Sequence, residues 1–455
     1  MVGSKRRSGM GRYFGTDGIR GKAEMFTNEF LERIVRGLEV QGKRILIGGD
    51  TRESTKCILD DLKTSLANNG AREVGVIEVF PTPGINYVMY SLVYDYAIDV
   101  TASHNPYFDN GIKIFEYTDA GGSKLNEAGR TRIEAVLEDS SPLELKDLSI
   151  ETKIYNERQR GLEYYEEHLK SCLREGEDLS GLKLMLDCAN GATGVLGKRV
   201  FVELGAEVSV INDDIKFGKK INDGAGSTHI EGLQAVVKEG SFSLGAAFDG
   251  DGDRCLLVDE AGEVVDGDQI LVILARYLKL DKIVATVMAN QGLLNWGKTK
   301  GVEVVMTDVG DQNVAKEMKE RDIQLGGEQS GHIILPGEAM GDGLLTALMV
   351  TRVMKESGKK LSELSAEMEK MPQVLLNLPV TDEEKATFSN SEPVKKLIDA
   401  FSKRLEEVHG RVLARPSGTE KIIRITMWGD NQKKINVLAS ELAGQLKEAI
   451  ENGNN

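Results

Sequence analysis

Apolar and polar residues alternate along the first part of the chain with two different periods. Apolar side chains recur every three or four residues over 29–40 and 52–67, a spacing that predicts amphipathic helices. Short apolar runs at 44–47, 74–80 and 96–100 predict buried strands. Strands separated by helices of this length are typical of βαβ units with parallel pairing, so the pattern predicts an α/β domain.

The same succession of strands and helices occurs twice more before the pattern changes. A second α/β unit begins with a predicted strand at 182–187, and a third begins after Asp266. From residue 374 onward, a strand, a helix, two paired strands and a final amphipathic helix predict a smaller α+β domain. A chain of 455 residues is too long for one hydrophobic core. The predicted domains are residues 1–150, 151–258, 259–370 and 371–455.

Three local features complete this prediction. The segment 146–160 is polar and poorly periodic, so it is expected to be a linker into a following helix. A further strand is expected near 323–325. Residues 14–21 (FGTDGIRG) contain three glycines, which predicts a loop whose backbone approaches another group closely. Arg20 in this loop is a candidate anion contact, although a surface turn with a solvated arginine has the same pattern.

The overall composition argues against two classes of protein. Hydrophobic residues make up 40% of the chain and charged residues 28%, as is typical of globular proteins. No apolar run approaches the ~20 residues needed to cross a bilayer. The net charge of −15 argues against a general nucleic-acid binder, whose surface would be basic. Local arginines can still bind a small phosphate, whatever the global charge.

The N-terminus and the cysteines favour a cytoplasmic location. Residues 1–11 contain basic side chains without an apolar stretch behind them, so a disordered extension is expected rather than a secretory signal, with Met10 as an alternative start. The four cysteines form no Cys-x-x-Cys pair, and neither a zinc site nor a disulfide framework is predicted. Cys188 and Cys255 lie beside predicted strands and are expected to be buried thiols.

Residues 101–106 (TASHNP), here called the serine loop, follow the predicted strand at 96–100. Pro106 prevents that strand from continuing, so Ser103 is placed in a loop with His104 beside it. Such a hydroxyl can be a nucleophile, but a simple polar turn closed by proline would have the same sequence. Three more polar, glycine-rich loops follow strand-like runs further along the chain, and together they favour a phosphoryl-transfer site.

Residues 249–254 (DGDGDR), the aspartate loop, alternate three carboxylates with glycines after a predicted strand. The alternation lets Asp249, Asp251 and Asp253 converge on one cation, and oxygen ligands select Mg²⁺, Mn²⁺ or Ca²⁺. An EF-hand is excluded, because Arg254 replaces the required glycine and the flanking segments are predicted strands. An acidic turn without metal is the remaining alternative.

Two further loops carry groups that bind sugars and phosphates. Residues 327–332 (GEQSGH), the histidine loop, can hydrogen-bond vicinal sugar hydroxyls and leave His332 free for proton transfer. Residues 415–420 (RPSGTE), the phosphate loop, combine an arginine fork, two hydroxyls and a glycine, which suits a phosphate. The Walker lysine is missing, so nucleotide binding is not implied. Either loop taken alone has the composition of an ordinary turn.

These four loops together resemble one family, the α-D-phosphohexomutases. Its members carry a Ser-His-Asn-Pro phosphoserine loop, an Asp-x-Asp-Gly-Asp-Arg metal loop, a Gly-Glu-x-Ser-Gly-His sugar loop and a C-terminal phosphate loop. The chain matches them in the family's order, one per predicted domain, from about Arg12 to the last helix. The resemblance implies four domains around one cleft, three of mixed α/β type and a smaller C-terminal one.

The resemblance also implies a role for each matched residue. Ser103 would carry a phosphoryl group and complete a site for one Mg²⁺. Lys113 and His332 would be proton-transfer candidates, and two arginines would assist near the transferring group. The implied residues are Ser103, His104, Arg20, Lys113, Arg254 and His332 for catalysis, Ser103, Asp249, Asp251 and Asp253 for the metal, and Glu328, Gln329, Ser330, Arg415, Ser417, Gly418 and Thr419 for the substrate.

Within the family, residues 14–21, Gln329 and the segment 341–348 (GDGLLTAL) most resemble members that act on glucosamine phosphates. The expected reaction interconverts glucosamine 6-phosphate and glucosamine 1-phosphate through a 1,6-bisphosphate, with glucosamine or glucose 1,6-bisphosphate as activator. One departure is 310–314 (GDQNV), where those members carry Arg-Tyr after the aspartate, so mannose and glucose phosphates stay open as substrates. Gln329 either contacts the sugar at C2 or supports its loop.

Two alternatives of another class use the same groups. A metal-dependent sugar-phosphate phosphatase would admit water to the site, and an inactive binding protein would retain the loops without turnover. The retained Ser103 argues against the second, and the sugar and phosphate loops argue against the first. A monomer or homodimer is expected, with no nucleic-acid or membrane partner.

Overall fold

The computed structural model describes residues 12–15, 17–119, 121–143, 151–417 and 421–453. Within these ranges the chain forms four sheets, one after another along the sequence. The first three are mixed sheets with helices between their strands, and the fourth is antiparallel. The four-domain architecture predicted from the sequence is confirmed.

The first sheet has eight strands, and its order places the strand at 44–49 beside the strand at 96–100, which leads into the serine loop. The first three segments predicted as strands pair in parallel, whereas the strand after the serine loop returns antiparallel. The strands are β1 (Phe14–Gly15), β2 (Gly18–Lys22), β3 (Arg44–Gly49), β4 (Glu73–Val79), β5 (Tyr96–Val100), β6 (Asp109–Thr118), β7 (Gly121–Lys124) and β8 (Lys153–Asn156), in the order β1-β2-β6-β5-β3-β4-β8, with β7 on β6. The helices of this domain are α1 (Asn28–Leu38), α2 (Glu53–Asn68), α3 (Thr82–Ser91) and α4 (Glu127–Glu138).

The second and third sheets repeat this plan with fewer strands. In each, parallel strands are followed by an antiparallel pair of strands. The loop that connects this pair is the aspartate loop in the second sheet and the histidine loop in the third. The second sheet has the order β10-β9-β11-β12-β13, with α5 (Arg158–Lys170), β9 (Lys183–Asp187), α6 (Gly197–Glu203), β10 (Glu207–Ile211), α7 (Glu231–Gly240), β11 (Leu244–Phe248), β12 (Cys255–Asp259) and β13 (Val264–Val265). The third has the order β15-β14-β16-β17, with α8 (Gly267–Leu278), β14 (Lys282–Thr286), α9 (Gln291–Lys300), β15 (Glu303–Thr307), α10 (Asp311–Arg321), β16 (Gly326–Gly327), β17 (Ile333–Ile334), α11 (Gly343–Ser357) and α12 (Leu361–Ser365).

The C-terminal domain packs helices against one face of a three-stranded sheet. Its two final strands pair antiparallel, as predicted. The elements are β18 (Gln373–Pro379), α13 (Asp382–Asn390), α14 (Glu392–Leu405), β19 (Arg411–Pro416), β20 (Ile422–Trp428) and α15 (Gln432–Gly453), with the strand order β18-β20-β19.

The hydrophobic cores explain how the domains are held together. One continuous cluster joins Leu46 of β3, Leu186 of β9 and Ala285 of β14, so the first three domains share buried apolar contacts. The C-terminal domain has a separate cluster that includes Phe401 and Leu442. Cys188 and Cys255 are buried thiols, as predicted. Among the helices that the structure describes, none is long and apolar enough to span a membrane.

Three local predictions are wrong. The segment 146–160 is not wholly a linker, because β8 lies within it and α5 begins at Arg158. All four residues of β8 are exposed, so this strand pairs through its backbone and leaves no apolar pattern. The strand expected near 323–325 is instead β16, where two glycines hide the signal. Residues 14–21 contain the paired strands β1 and β2 rather than a loop alone.

Candidate active site

The serine loop lies at the end of β5, and its hydroxyl points at the second domain. Ser103 is 1% exposed and has a left-handed backbone, with φ of 54°. Its N–H donates to Thr101 Oγ1 at 2.8 Å, and its hydroxyl donates to Asp249 Oδ2 at 2.7 Å. The predicted serine and aspartate loops are therefore in direct contact.

The aspartate loop connects the antiparallel strands β11 and β12, which agrees with the exclusion of an EF-hand. Asp249, Asp251 and Asp253 are buried, and one carboxylate oxygen from each lies within 4.8 Å of the others. A Cβ at Gly250 would lie 2.7 Å from the Ser103 carbonyl oxygen. Glycine is thus required here because the two loops pack backbone against backbone.

The charges of the triad are strongly perturbed. Burial, with Asp251 and Asp253 adding to it, raises the pKa of Asp249 well above its usual range. Burial also acts to raise the pKa of Asp253, but Lys113 and His332 outweigh it and hold that pKa well below its usual range. Within the part of the chain that the structure describes, Oδ1 of Asp251 and Oδ1 of Asp253 are buried without a hydrogen-bond partner.

Lys113 lies on β6 beside β5, and its ammonium group contacts two of the three aspartates. Its Nζ lies 2.7 Å from Asp251 Oδ2, 3.0 Å from Asp253 Oδ2 and 3.0 Å from Asp17 Oδ2. Burial acts to lower its pKa, but the three carboxylates raise that pKa well above the usual range. Lys113 is therefore held as an ammonium ion.

Asp17 links this lysine to the third domain. It accepts from Lys124, which also pairs with Asp311 at the start of α10. Arg130 Nη1 donates to Gln312 Oε1 at 3.2 Å beside this contact. The segment 310–314, where the sequence departs from the family pattern, is thus the place where the third domain contacts the first.

His332 is buried and its Nε2 accepts a hydrogen bond, whereas the sequence predicted a histidine that is free for proton transfer. The Gly341 N–H donates to Nε2 at 3.0 Å, so the proton of a neutral ring lies on Nδ1. Nδ1 faces Asp253 Oδ1 at 3.7 Å. Burial acts to lower the pKa of His332, but Asp253 reverses this effect and raises that pKa.

The other members of the histidine loop turn toward different neighbours. Glu328 Oε1 accepts from the Gly310 N–H at 3.1 Å, which orients its carboxylate. Gln329 Nε2 donates to Gln373 Oε1 of β18 at 3.3 Å. Ser330 is exposed at the tip of the turn between β16 and β17. The loop therefore contacts the C-terminal domain through Gln329.

The phosphate loop begins on β19, where Arg415 pairs in register with Arg424 of β20. Burial, with Arg424 adding to it, lowers the pKa of Arg415, while Glu328 acts in the opposite direction. Partner residues across an antiparallel pair project from the same face, so the two arginines lie side by side. Ser417 is 2% exposed. Gly418 and Thr419 lie outside the described residues.

Three further predicted residues lie at this site, one beside the serine hydroxyl and two beside carboxylates. His104 Nδ1 lies 3.3 Å from Ser103 Oγ, and burial, with Arg254 and Arg20 adding to it, lowers the pKa of His104 to about 3. Arg254 Nε lies 3.9 Å from Asp253 Oδ1, and Arg20 pairs with Asp17. The first three domains thus bring their predicted residues together.

Sequence reasoning missed two arginines. Arg52 follows β3 and donates to the carbonyl oxygens of Ser103 and Asn105, both at 2.8 Å. A polar Asp-Thr-Arg segment directly after a strand adjacent to β5 is a signal that could have identified it. Arg424 could have been found from the predicted pairing of the two C-terminal strands.

Family comparisons agree with the geometry. Four phosphoglucomutase/phosphomannomutase models match in order: alpha/beta/alpha domain I at residues 11–143, domain II at 163–262, domain III at 266–371 and the C-terminal domain at 375–445. Phosphoglucosamine mutase of Geobacillus kaustophilus is 41% identical, covering 97% of this chain and 99% of its own. Phosphoglucosamine mutase of Bacillus subtilis is 39% identical, covering 97% and 98%.

Solved structures share the fold at lower sequence identity. A phosphoglucomutase/phosphomannomutase family protein from Burkholderia thailandensis has a TM-score of 0.73 and 23% identity, covering 95% of this chain and 97% of its own. N-acetylphosphoglucosamine mutase of Aspergillus fumigatus, solved with GlcNAc-6P and magnesium, has a TM-score of 0.68 and 18% identity, covering 97% and 96%. Four domain models match in order, and two curated relatives are 41% and 39% identical along nearly the full chain. The protein is therefore a mutase belonging to the phosphoglucomutase/phosphomannomutase family of α-D-phosphohexomutases.

Proposed function

We propose that this mutase interconverts glucosamine 6-phosphate and glucosamine 1-phosphate through a phosphorylated Ser103. One observation carries the proposal: a buried serine hydroxyl donates to a buried carboxylate triad, with 2.7 Å between Ser103 Oγ and Asp249 Oδ2. Relatives named phosphoglucosamine mutase, 41% and 39% identical, support glucosamine as the hexose. Mannose and glucose phosphates are the competing substrates within the same mechanism.

The triad fits one Mg²⁺, held by Asp249, Asp251 and Asp253 together with a phosphate oxygen on Ser103. Two triad oxygens lack hydrogen-bond partners among the described residues, and buried oxygens of this kind need a cation or a bound water. Carboxylate oxygens are the ligands that Mg²⁺ prefers. When bound, Mg²⁺ supplies positive charge that stabilises the phosphoryl group during transfer.

The proposed reaction transfers one phosphoryl group from Ser103 to the hexose phosphate and then a different phosphoryl group from the sugar back to Ser103. In the first half, the free hydroxyl of the hexose phosphate attacks phosphorus, the P–Oγ bond to Ser103 breaks, and the sugar hydroxyl loses its proton. The product is a 1,6-bisphosphate, which turns over in the cleft. The proton that the sugar hydroxyl loses goes to Ser103 Oγ. In the second half, Ser103 Oγ gives up that proton and attacks the other phosphate, the bond between that phosphorus and the sugar oxygen breaks, and the sugar oxygen takes up a proton, so the proton balance is restored over the full cycle.

The protonation states in the site assign different roles to its bases and acids. Lys113 is held as an ammonium ion by three carboxylates, so we assign it to charge stabilisation rather than proton acceptance. His104 stays neutral and lies 3.3 Å from Ser103 Oγ, where it can exchange the hydroxyl proton. His332 orients Asp253. Arg20 and Arg254 add positive charge near the transferring group.

Substrate contacts come from the third and fourth domains. Glu328, oriented by the Gly310 N–H, and Ser330 would bind sugar hydroxyls. The adjacent pair Arg415 and Arg424 supplies two guanidinium groups for the phosphate that is not transferred. Ser417 contributes from the same loop, and Gly418 and Thr419 are assigned to it from the sequence alone.

We also propose how the chain divides. Because β8 pairs with β4 and β13 pairs with β12, the first domain would extend to residue 156 and the second to 265. The predicted boundaries at 150 and 258 each precede one of these strands.

The four free cysteines support a reducing compartment, the cytoplasm. A 1,6-bisphosphate of glucosamine or glucose is the proposed activator, and a monomer or homodimer stays the predicted assembly.

A coupled assay tests the proposed function. Glucosamine, glucose and mannose phosphates are supplied in turn, each with Mg²⁺ and the activating bisphosphate, and both hexose 1-phosphate and inorganic phosphate are measured. The expected result is the highest kcat/KM for glucosamine 6-phosphate with little inorganic phosphate. Stoichiometric release of inorganic phosphate would show a phosphatase, and a preference for another hexose would change the substrate while leaving the mechanism in place.

A further inference from the structure

We propose that Asn222 of the second domain, together with Arg52, is a positioning residue that holds Ser103 in its reactive conformation. Neither side chain contacts the serine hydroxyl. Both bind the backbone carbonyl oxygens of the serine loop, and thereby fix the direction of the Ser103 side chain. This inference rests on the proposed function, because it assigns Ser103 as the group that carries the phosphoryl.

Asn222 reaches the serine loop from another domain. It is 7% exposed, and its Nδ2 donates to the Ser103 carbonyl oxygen at 2.8 Å and to the Asn105 carbonyl oxygen at 3.2 Å. Its Oδ1 is buried without a hydrogen-bond partner in the described parts of the chain. The Asn222 amide therefore acts here as a donor only, and both of its bonds go to the serine loop.

Arg52 of the first domain binds the same carbonyl groups. Its Nη2 donates to the carbonyl oxygens of Ser103 and Asn105, and its Nη1 donates to that of Asp109 at 3.0 Å. Arg52 is itself held by Asp50, with 2.9 Å between Nε and Oδ2. The Ser103 carbonyl oxygen thus accepts two hydrogen bonds, one from each domain.

These bonds matter because Ser103 has an unfavourable backbone conformation. A φ of 54° is uncommon for a residue with a Cβ, and such conformations persist only where surrounding contacts stabilise them. If the carbonyl groups were released, the loop would relax toward negative φ and turn the Ser103 side chain away from Asp249. Hydrogen bonds to the two carbonyl oxygens oppose that relaxation.

The segment that carries Asn222 packs against the backbone around Arg52 and against the aspartate loop. A Cβ at Gly218 would lie 2.4 Å from the Thr51 carbonyl oxygen, so this segment packs on the backbone that leads into Arg52. A Cβ at Gly250 would lie 2.8 Å from Asn222 Nδ2. The aspartate loop, the serine loop and Asn222 therefore meet at one carbonyl group, and a displacement of any one changes the Ser103–Asp249 contact.

The test compares Asn222→Asp with the matched control Asn86→Asp. Aspartate keeps the shape of asparagine and tolerates the left-handed backbone of Asn222, but it replaces the donor with an oxygen that faces two carbonyl oxygens. Asn86 is also buried, its Nδ2 donates to the Gly122 carbonyl oxygen at 3.3 Å, and its Oδ1 is likewise without a partner. The control thus introduces the same chemical change in a side chain that bonds to β7 rather than to the serine loop.

We expect Asn222→Asp to lower kcat ~10- to 100-fold, as is typical when a reacting group is misplaced by about 1 Å. KM for the hexose phosphate should stay within about twofold, because the histidine and phosphate loops are not touched. In single-turnover experiments with phosphorylated enzyme, transfer to hexose phosphate should slow by the same factor. Asn86→Asp should keep the wild-type kcat per folded molecule.

A second variant keeps the test decisive if Asn222→Asp does not fold. Asn222→Gly tolerates the left-handed backbone and removes the donor without burying a carboxylate, and it should show the same loss in kcat. A folded Asn222→Gly or Asn222→Asp enzyme with wild-type kcat, or with a loss confined to KM, would overturn the proposal. If the wild-type enzyme instead releases inorganic phosphate, the proposed function fails, and the rate of Ser103 dephosphorylation in the same variants still tests the positioning.

Discussion

Ser103 and Asp249 belong to different domains, yet the hydroxyl of one donates to the carboxylate of the other at 2.7 Å. Both residues are buried, and burial raises the pKa of Asp249 well above its usual range. Burial disfavours the charged form of this carboxylate, and a hydrogen-bond donor or a cation stabilises it. The contact therefore connects the residue that would carry the phosphoryl group with the residue that would bind the metal.

Replacing Ser103 with alanine should remove most mutase activity, because no other group would carry the phosphoryl between the two halves of the reaction. Intact-mass and phosphopeptide analysis should find phosphate on Ser103 in the wild-type enzyme and none in Ser103→Ala. Ser171→Ala, on a surface position of the second domain, is the control and should behave as the wild type. Full activity of Ser103→Ala would contradict the phosphoserine mechanism.

Removal of the metal should abolish activity, because the transferring phosphate would then face a carboxylate triad without enough positive charge. Excess EDTA should bring turnover to the background rate, and Mg²⁺ should restore it. Asp251→Asn should raise the Mg²⁺ concentration needed for half-maximal activity by ~10-fold or more. The exposed Asp281→Asn is the matched control. Turnover that continues in EDTA would exclude the magnesium site.

Replacing Arg415 or Arg424 with alanine should weaken binding of the phosphate that is not transferred. A hydrogen bond to a charged group is worth about 1.5–3 kcal/mol, so Arg415→Ala and Arg424→Ala should each raise KM ~10- to 100-fold. The bisphosphate should also dissociate before it turns over, and its accumulation in solution can be followed by ³¹P NMR. Arg404→Ala removes a surface pair with Glu441 and should change neither quantity.

Gln329→Met should leave the substrate preference unchanged. The Gln329 amide donates to Gln373 Oε1 at 3.3 Å, so we expect it to connect the histidine loop with β18 rather than to bind the sugar at C2. The measurement is the ratio of kcat/KM for glucosamine 6-phosphate to that for glucose 6-phosphate in both enzymes. A ratio that falls toward one in Gln329→Met would show direct contact with the amino group.

Acid should destabilise the protein partly through His104. Its pKa is lowered from 6.5 to about 3, chiefly by burial, so between these values the unfolded state binds a proton that the folded state does not. Its contribution to stability is fully present above pH 6.5 and is lost as the pH falls through this window. His104→Asn should therefore flatten the curve of unfolding free energy against pH there, by up to ~1.4 kcal/mol per pH unit, as measured by urea denaturation.

Local pattern was sufficient for most of the elements and for the loops that carry the candidate residues. β11 was predicted because it is buried and apolar along its whole length. Ser103 and the three aspartates were identified because the loops that carry them directly follow such strands. β8 was missed because an exposed strand that pairs only through its backbone leaves no apolar signal.

The sequence by itself determined the four-domain plan, the identity of the four loops and the chemistry that they offer, since each depends on residues close together along the chain. Tertiary structure alone decided which of these groups touch. That His332 lies beside Asp253, that Gln329 faces Gln373, and that Lys113 is charged all depend on contacts between distant segments. Burial and neighbouring charges set protonation states and hydrogen-bond partners, and neither is encoded in local spacing.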